Sequence, residues 1–341
     1  MKLGIIGLPR SGKSTIFDAL TKNTAGAAYR GEDRIAAIRV PDARVDELSR
    51  MVKPQKTTYA QVEYFLPGIK SDSPGQQSAW TSVRSCDALL HVVRNHAAYG
   101  FEKKSPLEDF IKLDQELILT DLVVVEKRLE RIELDEKRGK NMDQEEKALL
   151  AQCRQALESE IPLRKKLDLS SAPKLKGFAF LSAKPVLVLF NNEDDDERMP
   201  DLKDLIDGEA CQVIRGKLEQ ELAQMPAEEA AEFLSEFNIA ASAMDRIIRQ
   251  SYALLNLISF FTTGSDEVRA WTIKKGTPAL DAAEVIHSDM KKGFIRAEVV
   301  SFQDLMDAGN YAEAKKRGTV RLEGKTYEVQ DGDVIQFRFN I

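Results

Sequence analysis

Near its beginning the sequence reads Gly7-Leu8-Pro9-Arg10-Ser11-Gly12-Lys13-Ser14. An apolar run, residues 3–6, precedes this stretch, and the apolar residues of 15–20 recur after it with helical spacing. A glycine-rich turn between a strand and a helix is typical of a phosphate-binding loop, whose backbone N–H groups point at phosphate oxygens. In such a loop Lys13 reaches the β- and γ-phosphates, the Ser14 hydroxyl binds Mg²⁺, and Thr15 follows in the helix. The alternative is a glycine-rich turn that holds no nucleotide.

The composition excludes several classes of protein. The chain has 341 residues, of which 43% are hydrophobic and 30% charged, as in a globular protein of two or three domains. The formal net charge of -6 gives no global basic field, so a nucleic-acid partner would need a local basic patch. The three cysteines and three histidines show no metal-ligand spacing. No apolar run reaches the ~20 residues of a membrane span, and no signal peptide is evident, so we expect a cytoplasmic protein with no membrane partner.

Apolar strands alternate with helices in the first half of the chain. The predicted strands are residues 2–8, 33–40, 61–66, 88–94 and 185–191, and the predicted helices are residues 14–22 and 46–51. This alternation indicates a mostly parallel sheet that is covered by helices on both faces. A polar segment at 71–77 is predicted to be a mobile loop.

The middle of the chain departs from this alternation. A heptad pattern connects Ile118, Leu122, Val125, Leu129 and Ile132. After a turn at Gly139-Lys140-Asn141, a second helical pattern carries Leu149, Leu150, Cys153, Ala156 and Leu157. The two patterns predict an antiparallel helical hairpin at 111–175, inserted into a nucleotide-binding domain that we expect at 1–110 and 176–255.

Two further regions follow the predicted hairpin. Residues 218–255 have amphipathic helical spacing and complete the first domain. After them we predict a strand, a helix, a strand, a hairpin-like pair, a tight turn and a last strand, at residues 268–273, 279–290, 296–300, 320–329, 331–333 and 334–340. These elements predict a separate α+β domain of ubiquitin-like size at 256–341.

Taken together, these stretches resemble the YchF/Obg-like ATPases, a branch of the translation-factor class of P-loop GTPases. The resemblance covers nearly the whole chain. Besides the phosphate-binding loop and the helical hairpin, it rests on Val40 to Arg44, Val52-Lys53-Pro54, Cys86 to Arg94, Phe260 to Gly264, Glu267 to Thr272, Gly293 to Val299, and Asp331-Gly332-Asp333 with Phe337-Arg338-Phe339. Arg10-Ser11 stands where the family usually has an Asn-Val pair.

The resemblance implies an α/β P-loop NTPase domain with a mostly parallel sheet, an inserted coiled-coil hairpin and a C-terminal ubiquitin-like TGS domain. It implies binding of ATP or GTP with Mg²⁺, and association with ribosomes, RNA or other translation components through the hairpin and the TGS domain. By resemblance, residues 7–15, Gly68, Asn191 and Asp194 would contact the nucleotide. We expect a monomer.

The segments that would sense the γ-phosphate depart from the GTPase pattern. A D-x-x-G motif normally supplies an Asp for Mg²⁺ and a Gly N–H for the γ-phosphate. Here Phe65-Leu66-Pro67-Gly68 keeps the Gly and lacks the Asp, and Asp72 lies too late in the chain. Residues 30–35, where a Thr would bind Mg²⁺, contain no Thr. The loss of two metal contacts favours nucleotide binding over efficient hydrolysis.

The base-recognition motif leaves the choice between ATP and GTP open. GTPases use N-K-x-D, whereas the family has N-x-x-E, and this chain has Asn191-Asn192-Glu193-Asp194. A carboxylate at Asp194 would accept hydrogen bonds from guanine N1 and N2, which adenine cannot offer. Glu193 or Asp195 could take this role instead, or the acidic run could be a solvated loop. Arg215-Gly216-Lys217 replaces the usual Ser-Ala-Lys and retains only the Lys.

Three hypotheses remain open at this point. The first is a purine nucleotide-binding regulator with weak or absent hydrolysis, which switches its contacts with a ribosomal or RNA partner. The second is a non-hydrolysing adaptor that binds RNA or protein through the hairpin and the TGS domain and has a vestigial G domain. The third is a competent enzyme whose missing groups come from Asp72, a monovalent cation or the partner.

Overall fold

The computed structural model describes residues 1–22, 31–68, 80–97, 105–201, 208–237 and 242–340. The chain forms two compact units. The first consists of Met1–Ala36 and Glu63–Met244, and the second of Ala37–Val62 and Asp245–Ile341. Residues 37–62 are an unexpected part of the second unit, because the sequence places them within the predicted nucleotide-binding domain. The predicted loop at 71–77, with Asp72, lies outside the described residues.

The helices and strands are numbered in chain order. The strands are β1 Lys2–Ile6, β2 Arg34–Arg39, β3 Lys56–Thr58, β4 Gln61–Leu66, β5 Ala88–Asn95, β6 Val186–Asn192, β7 Ala210–Ile214, β8 Leu257–Thr263, β9 Glu267–Lys274, β10 Phe294–Ser301, β11 Arg321–Glu323 and β12 Asp333–Phe339. The α-helices are α1 Lys13–Thr21, α2 Ala43–Val52, α3 Pro106–Lys137, α4 Gln144–Glu158, α5 Leu167–Ser170, α6 Gly216–Gln224, α7 Ala227–Glu236, α8 Ala243–Leu254, α9 Ala279–Ile286, α10 Ser288–Lys292, α11 Phe302–Ala308 and α12 Tyr311–Lys316.

The first unit is built on a six-stranded sheet with the order β2-β4-β1-β5-β6-β7. The pairs β1–β4, β1–β5, β5–β6 and β6–β7 are all parallel, as predicted. Every residue of β5 and β6 is buried, which explains why both strands read as continuous apolar runs. Strand β7 was not predicted, because its residues are mostly half-buried and carry no clear apolar alternation.

The chain leaves this sheet after β5, forms the predicted helical hairpin of α3 and α4, and returns as β6. Pro106 occupies the first turn of α3, where its missing N–H costs nothing, and Asp143 caps α4 by accepting the N–H groups of Glu145 and Glu146. The two helices bury one apolar face against each other, which contains Ile118, Val125, Leu129, Ile132, Leu150, Cys153, Ala156 and Leu157. The heptad pattern therefore marked the correct face.

A buried carboxylate anchors the hairpin to the chain just before β6. Asp121 of α3 is fully buried, and its two oxygens accept the backbone N–H groups of Leu181 at 3.0 Å and Ser182 at 2.7 Å. The guanidinium of Arg84 lies 3.3 Å away. Burial raises the pKa of Asp121, while these donors act in the opposite direction. The contact holds the base of the hairpin on the first unit.

The second unit contains a six-stranded sheet with the order β11-β10-β12-β8-β9-β3. Strands β8 and β9 form an antiparallel pair, β10 lies antiparallel between β11 and β12, and β12 and β8 are parallel. Its core includes Phe260, Ile273, Val299 and Ile335, packed against the small residues of α9. This arrangement confirms a small α+β C-terminal domain.

Residues 37–62 join the second unit through an edge strand and a charged cluster. Strand β3 pairs in parallel with β9 at the edge of the sheet. The Arg44 guanidinium contacts Asp42 and Asp331, each at 2.8 Å, and Asp331 also accepts the N–H of Ser259 at 2.9 Å. Burial by itself would lower the pKa of Arg44, but the two carboxylates hold it well above its usual range. The pairing of distant residues explains why the sequence did not predict this grouping.

Three of the predicted elements are wrong in detail. The helix predicted at 279–290 is two helices, because His287 has an extended backbone and its side chain caps α10. The hairpin predicted at 320–329 does not form: β11 pairs with β10, and Glu328 forms an isolated bridge with Pro278. The helical region at 218–255 is divided into α6, α7 and α8, with the first break at Pro226, which cannot continue a helix.

Candidate phosphate-binding site

The Gly7–Ser14 loop joins the carboxyl end of β1 to the start of α1, as predicted. Gly12 precedes α1 with a φ of 98°, and a Cβ atom there would overlap the side-chain nitrogen of Asn191. Gly7 has a φ of 157°, and a Cβ atom there would overlap the carbonyl oxygen of Val92. Since residues with a side chain rarely adopt these conformations, both positions require glycine.

Lys13 folds back across the loop. Its Nζ donates hydrogen bonds to the carbonyl oxygens of Gly7 at 2.8 Å and Leu8 at 2.9 Å. Burial lowers the pKa of Lys13 to about 8, because the ammonium group loses hydration. Ser14 is exposed and Thr15 half-buried in the first turn of α1, beside the free N–H groups of the helix terminus. This arrangement is suited to an anion that replaces the carbonyl oxygens as the partner of the Lys13 ammonium.

Arg10 and Ser11, in the middle of the loop, each carry a local energetic cost. Arg10 has a φ of 62°, in the left-handed region where Gly and Asn are favoured. Ser11 is 1% exposed, and its Oγ is buried without a hydrogen-bond partner. A buried polar group in this condition costs about 1–3 kcal/mol. The backbone conformation at Arg10 and the buried hydroxyl of Ser11 therefore both lower the stability of the loop.

Asn191 connects the phosphate-binding loop to the start of α6. It lies near the carboxyl end of β6 and is 4% exposed. Its Nδ2 donates to the carbonyl oxygen of Ser11 at 3.0 Å, and its Oδ1 accepts the N–H of Gly216 at 2.9 Å. A Cβ atom at Gly216 would overlap the Asn191 side chain. One amide group thus holds the phosphate-binding loop and the start of α6 in a common position.

The acidic run after β6 is organised by backbone contacts. Asp194 Oδ1 accepts the N–H of Leu218 in the first turn of α6 at 3.2 Å, and the Lys217 Nζ lies 3.9 Å from Asp194 Oδ2. Glu193 points the other way and accepts the N–H of Ala97, which follows β5. Arg215 forms an ion pair with Glu197 at 2.8 Å. These contacts tie the run to α6 and to Ala97 after β5, while Asp194, Asp195 and Glu197 stay exposed.

These segments enclose a cavity of about 630 Å³. Of the residues predicted for the site, those that line it are Pro9, Arg10, Gly12, Lys13, Ser14, Thr15, Asn191 and Asp194. Gly7, Leu8, Ser11 and Gly68 are not among the lining residues in the described part of the chain; Ser11 faces inward beneath the loop. Glu193 lines the cavity together with Asp194, while Asp195 does not.

Four further lining residues, His96, Ala97, Asn192 and Gln220, carried no motif in the sequence. His96 and Ala97 follow the carboxyl end of β5, and Asn192 ends β6. The rule that ligands bind beyond the carboxyl ends of parallel strands could have pointed to them. Gln220 of α6 donates to Asp18 Oδ2 at 3.2 Å and is brought in only by the packing of α6 beside α1.

Gly68 lies just beyond the carboxyl end of β4, the neighbour of β1 in the sheet. Its N–H donates a hydrogen bond of 2.9 Å to Oδ1 of Asp33, which precedes β2. The described residues of 31–35 and 65–68 contain neither a Thr nor an Asp at the positions of the usual Mg²⁺ ligands.

The oxygen ligands that the protein offers in this site suit a Mg²⁺ ion that is coordinated mainly by phosphate and water. The exposed Ser14 hydroxyl at the start of α1 can act as one oxygen ligand, which suits an ion that keeps several waters and binds few protein groups. No group of three or more His, Cys, Asp or Glu side chains among the described residues could hold a metal by itself.

A parallel sheet, a glycine loop closed by a half-buried lysine, and an asparagine clamp near the end of β6 together define a P-loop nucleotide-binding domain of the GTPase class. Residues 2–128 match the family model described as "50S ribosome-binding GTPase", and residues 257–340 match the C-terminal domain model of YchF GTPases, described as a protein of unknown function. The chain belongs to the YchF family.

The relatives cover the chain from end to end. It is 39% identical to the ribosome-binding ATPase YchF of Bacillus subtilis, over 99% of both chains. It is 37% identical to the protein of the same name from Escherichia coli O157:H7, over 100% of this chain and 99% of that one. The structure of the Schizosaccharomyces pombe YchF GTPase matches with a TM-score of 0.86 at 31% identity, covering 99% of this chain and 97% of that one. Among the described residues, no helix is both long and apolar enough to cross a membrane.

Proposed function

We propose that this chain binds a purine nucleoside triphosphate, ATP or GTP, at the Gly7–Ser14 loop and uses it to regulate contacts with the ribosome. The observation that carries the proposal is the closed loop itself. Its glycines are required by geometry, and the half-buried Lys13 ammonium bonds to the carbonyl oxygens of Gly7 and Leu8. The relatives from Bacillus subtilis and Escherichia coli are named ribosome-binding ATPases, which supports both the ligand and the partner.

When nucleotide binds, we expect its phosphate oxygens to become the hydrogen-bond acceptors for donors that now bond within the loop. The β-phosphate displaces the carbonyl oxygens of Gly7 and Leu8 from Lys13 and accepts backbone N–H groups of residues 10–15. Mg²⁺, when bound, neutralises phosphate charge, and Ser14 is the residue of this chain that would hold it. Asn191 keeps the loop in place during this exchange.

Asn191 and Asp194, on one side of the cavity, would contact the nucleotide base. Asp194 is placed by Leu218 with its second oxygen near Lys217, so a carboxylate is available to accept two hydrogen bonds from guanine. The relative from Bacillus subtilis is named an ATPase, which favours adenine as the base. Titration with ATP and with GTP decides between them: if Asp194 reads guanine, Asp194→Ala lowers GTP affinity and leaves ATP affinity unchanged. Asp195→Ala is the matched control, since Asp195 does not line the cavity.

We further propose that hydrolysis is weak. Phe65 stands where the GTPase pattern has an Asp, and residues 31–35 contain no Thr, so the metal lacks two usual contacts near the γ-phosphate. Multiple-turnover hydrolysis, measured with and without ribosomes, tests this directly. Rates far above background without ribosomes would show a competent enzyme instead.

For the remaining organisation we propose a G domain at 1–110 and 176–255, a coiled-coil hairpin at 111–175 and a TGS domain at 256–341, in a cytoplasmic monomer. The hairpin and the TGS domain would supply the ribosomal contacts. Co-sedimentation with ribosomes in the presence of no nucleotide, diphosphate and non-hydrolysable triphosphate tests the switch. Equal sedimentation in all three conditions would identify an adaptor with a vestigial G domain.

A further inference from the structure

One hydrogen bond in the first unit occupies the N–H of Gly68, the glycine that the GTPase pattern assigns to the γ-phosphate. In GTPases the N–H of the Gly in the D-x-x-G motif binds the γ-phosphate, and here Gly68 holds that position just beyond β4. Here the N–H of Gly68 is already bonded to the carboxylate of Asp33, at 2.9 Å. A carboxylate and a phosphate offer this N–H the same chemistry, an anionic oxygen. The protein therefore supplies its own anion at this position.

The neighbours of Asp33 hold it there. Arg34 forms an ion pair of 2.5 Å with Asp18 of α1, and its guanidinium stacks over the ring of Phe17, 4.4 Å from the centroid. Helix α6 also helps to hold Asp18, because Gln220 donates a hydrogen bond to its other carboxylate oxygen. Asp33 is thereby tied, through Arg34, to the helix that begins at the phosphate-binding loop.

The backbone of the same segment packs directly on Gly68. A Cβ atom at Gly68 would overlap the carbonyl groups of Gly31 and Glu32, so only glycine allows this approach. The contact between the two segments thus has three components: the Asp33 hydrogen bond, the backbone packing and the Arg34 anchor. An isolated surface carboxylate that happened to lie near an N–H group would have only the first.

From these contacts we infer that Asp33 is a specificity-determining residue, which makes the site favour nucleoside diphosphate over triphosphate. This inference rests on the proposed nucleotide binding. A triphosphate must displace the Asp33 carboxylate from Gly68 and then tolerate its negative charge nearby, whereas a diphosphate does neither. Because Asp33 is exposed, solvent screens the repulsion, and the effect on the affinity ratio is about fivefold to tenfold.

The test compares wild type with Asp33→Asn, which keeps an oxygen acceptor of the same size and removes the charge. Affinities for a non-hydrolysable triphosphate and for the diphosphate of the same base are measured by titration with Mg²⁺. We expect Asp33→Asn to raise triphosphate affinity about fivefold to tenfold and to leave diphosphate affinity unchanged. Glu32→Gln is the matched control: it removes the same charge one residue earlier and should change neither affinity.

Either of two results of this titration would overturn the inference. An unchanged ratio in Asp33→Asn would show that the carboxylate does not compete with the γ-phosphate. A loss of triphosphate affinity that depends on Mg²⁺ would show that Asp33 supports the metal instead. If wild type binds neither nucleotide, the proposed function fails as well. The contact itself is then checked without ligand: the Gly68 amide proton should exchange faster in Asp33→Ala than in wild type, and equal exchange would show that the hydrogen bond does not form.

Discussion

Replacement of Asn191 by Ala should separate the phosphate-binding loop from the start of α6. The side chain is 4% exposed and makes two hydrogen bonds, to the carbonyl oxygen of Ser11 and from the N–H of Gly216. Each bond contributes about 1 kcal/mol net, and each partner left unsatisfied in a buried position costs more. We expect Asn191→Ala to lower the free energy of unfolding by about 2–4 kcal/mol.

The same change should weaken phosphate binding, because the loop must be ordered by the ligand instead of by the clamp. We expect the dissociation constant for pyrophosphate to rise about tenfold, which corresponds to roughly 1.4 kcal/mol. Pyrophosphate is the informative probe, since it contacts the loop and carries no base for Asp194 to read. Urea unfolding monitored by circular dichroism and calorimetric titration with pyrophosphate measure the two effects.

The control is Asn95→Ala. Asn95 is 6% exposed at the same edge of the sheet and donates to Asn192 Oδ1 at 2.8 Å, but no contact to the phosphate-binding loop is seen among the described residues. It should lower stability by about 1–2 kcal/mol without changing pyrophosphate affinity. If Asn191→Ala and Asn95→Ala bind pyrophosphate equally well, or if Asn191→Ala is as stable as wild type, the clamp described here does not support the loop.

Three further predictions concern other parts of the chain. Since burial lowers the pKa of Lys13 to about 8 and a phosphate restores the ammonium form, nucleotide affinity should fall as pH rises through 8. Calorimetry in buffers of different ionisation enthalpy should show net proton uptake on binding that grows as the pH rises through 8, and no uptake at any pH would contradict the lowered pKa of Lys13. Arg10→Gly should raise the free energy of unfolding by about 0.5–1 kcal/mol in urea, because it relieves the left-handed φ; a decrease would argue against strain there. In the hairpin, Val125→Ala should cost about 2–3 kcal/mol at a fully buried position, whereas Val123→Ala, at a side chain 48% exposed, should cost almost nothing; thermal unfolding that treats both alike would refute the assigned face.

The sequence predicted the elements whose formation depends on local pattern. Strands β5 and β6 are buried on both faces, so their apolar runs are unambiguous. The heptad spacing of α3 marked the face that packs on α4. The phosphate-binding loop was predictable because its glycines, lysine and serine are adjacent in the chain.

The features that the sequence did not predict depend on contacts between distant residues. Residues 37–62 join the second unit through Arg44 and Asp331, which are 287 positions apart. The contact of Asp33 with Gly68 requires β2 and β4 to be neighbours in the sheet. Residues 320–329 have a hairpin's alternation, yet β10 and the start of α9 provide better partners for their backbone.

In the candidate site, too, the sequence predicted individual residues but not the contacts between distant ones. Motifs identified Asn191 and Asp194, but not that Asn191 bonds to Ser11 or that Asp194 is positioned by α6. The backbone geometry explains both contacts, because the carboxyl ends of β1, β5, β6 and β7 lie side by side in the sheet and α6 begins after β7. Residues at such ends meet in space whatever their separation in sequence.

Binding of nucleotide phosphates by the Gly7–Ser14 loop is tested most directly by calorimetric titration of wild type and Lys13→Ala with ATP and GTP in the presence of Mg²⁺. We expect wild type to bind at least one of the two with a stoichiometry of about one, and Lys13→Ala, with its fold checked by circular dichroism, to bind it more than about tenfold more weakly, since it loses the ammonium that faces the phosphates. Absence of binding to wild type, or equal dissociation constants for the two proteins, would contradict a phosphate site in this loop.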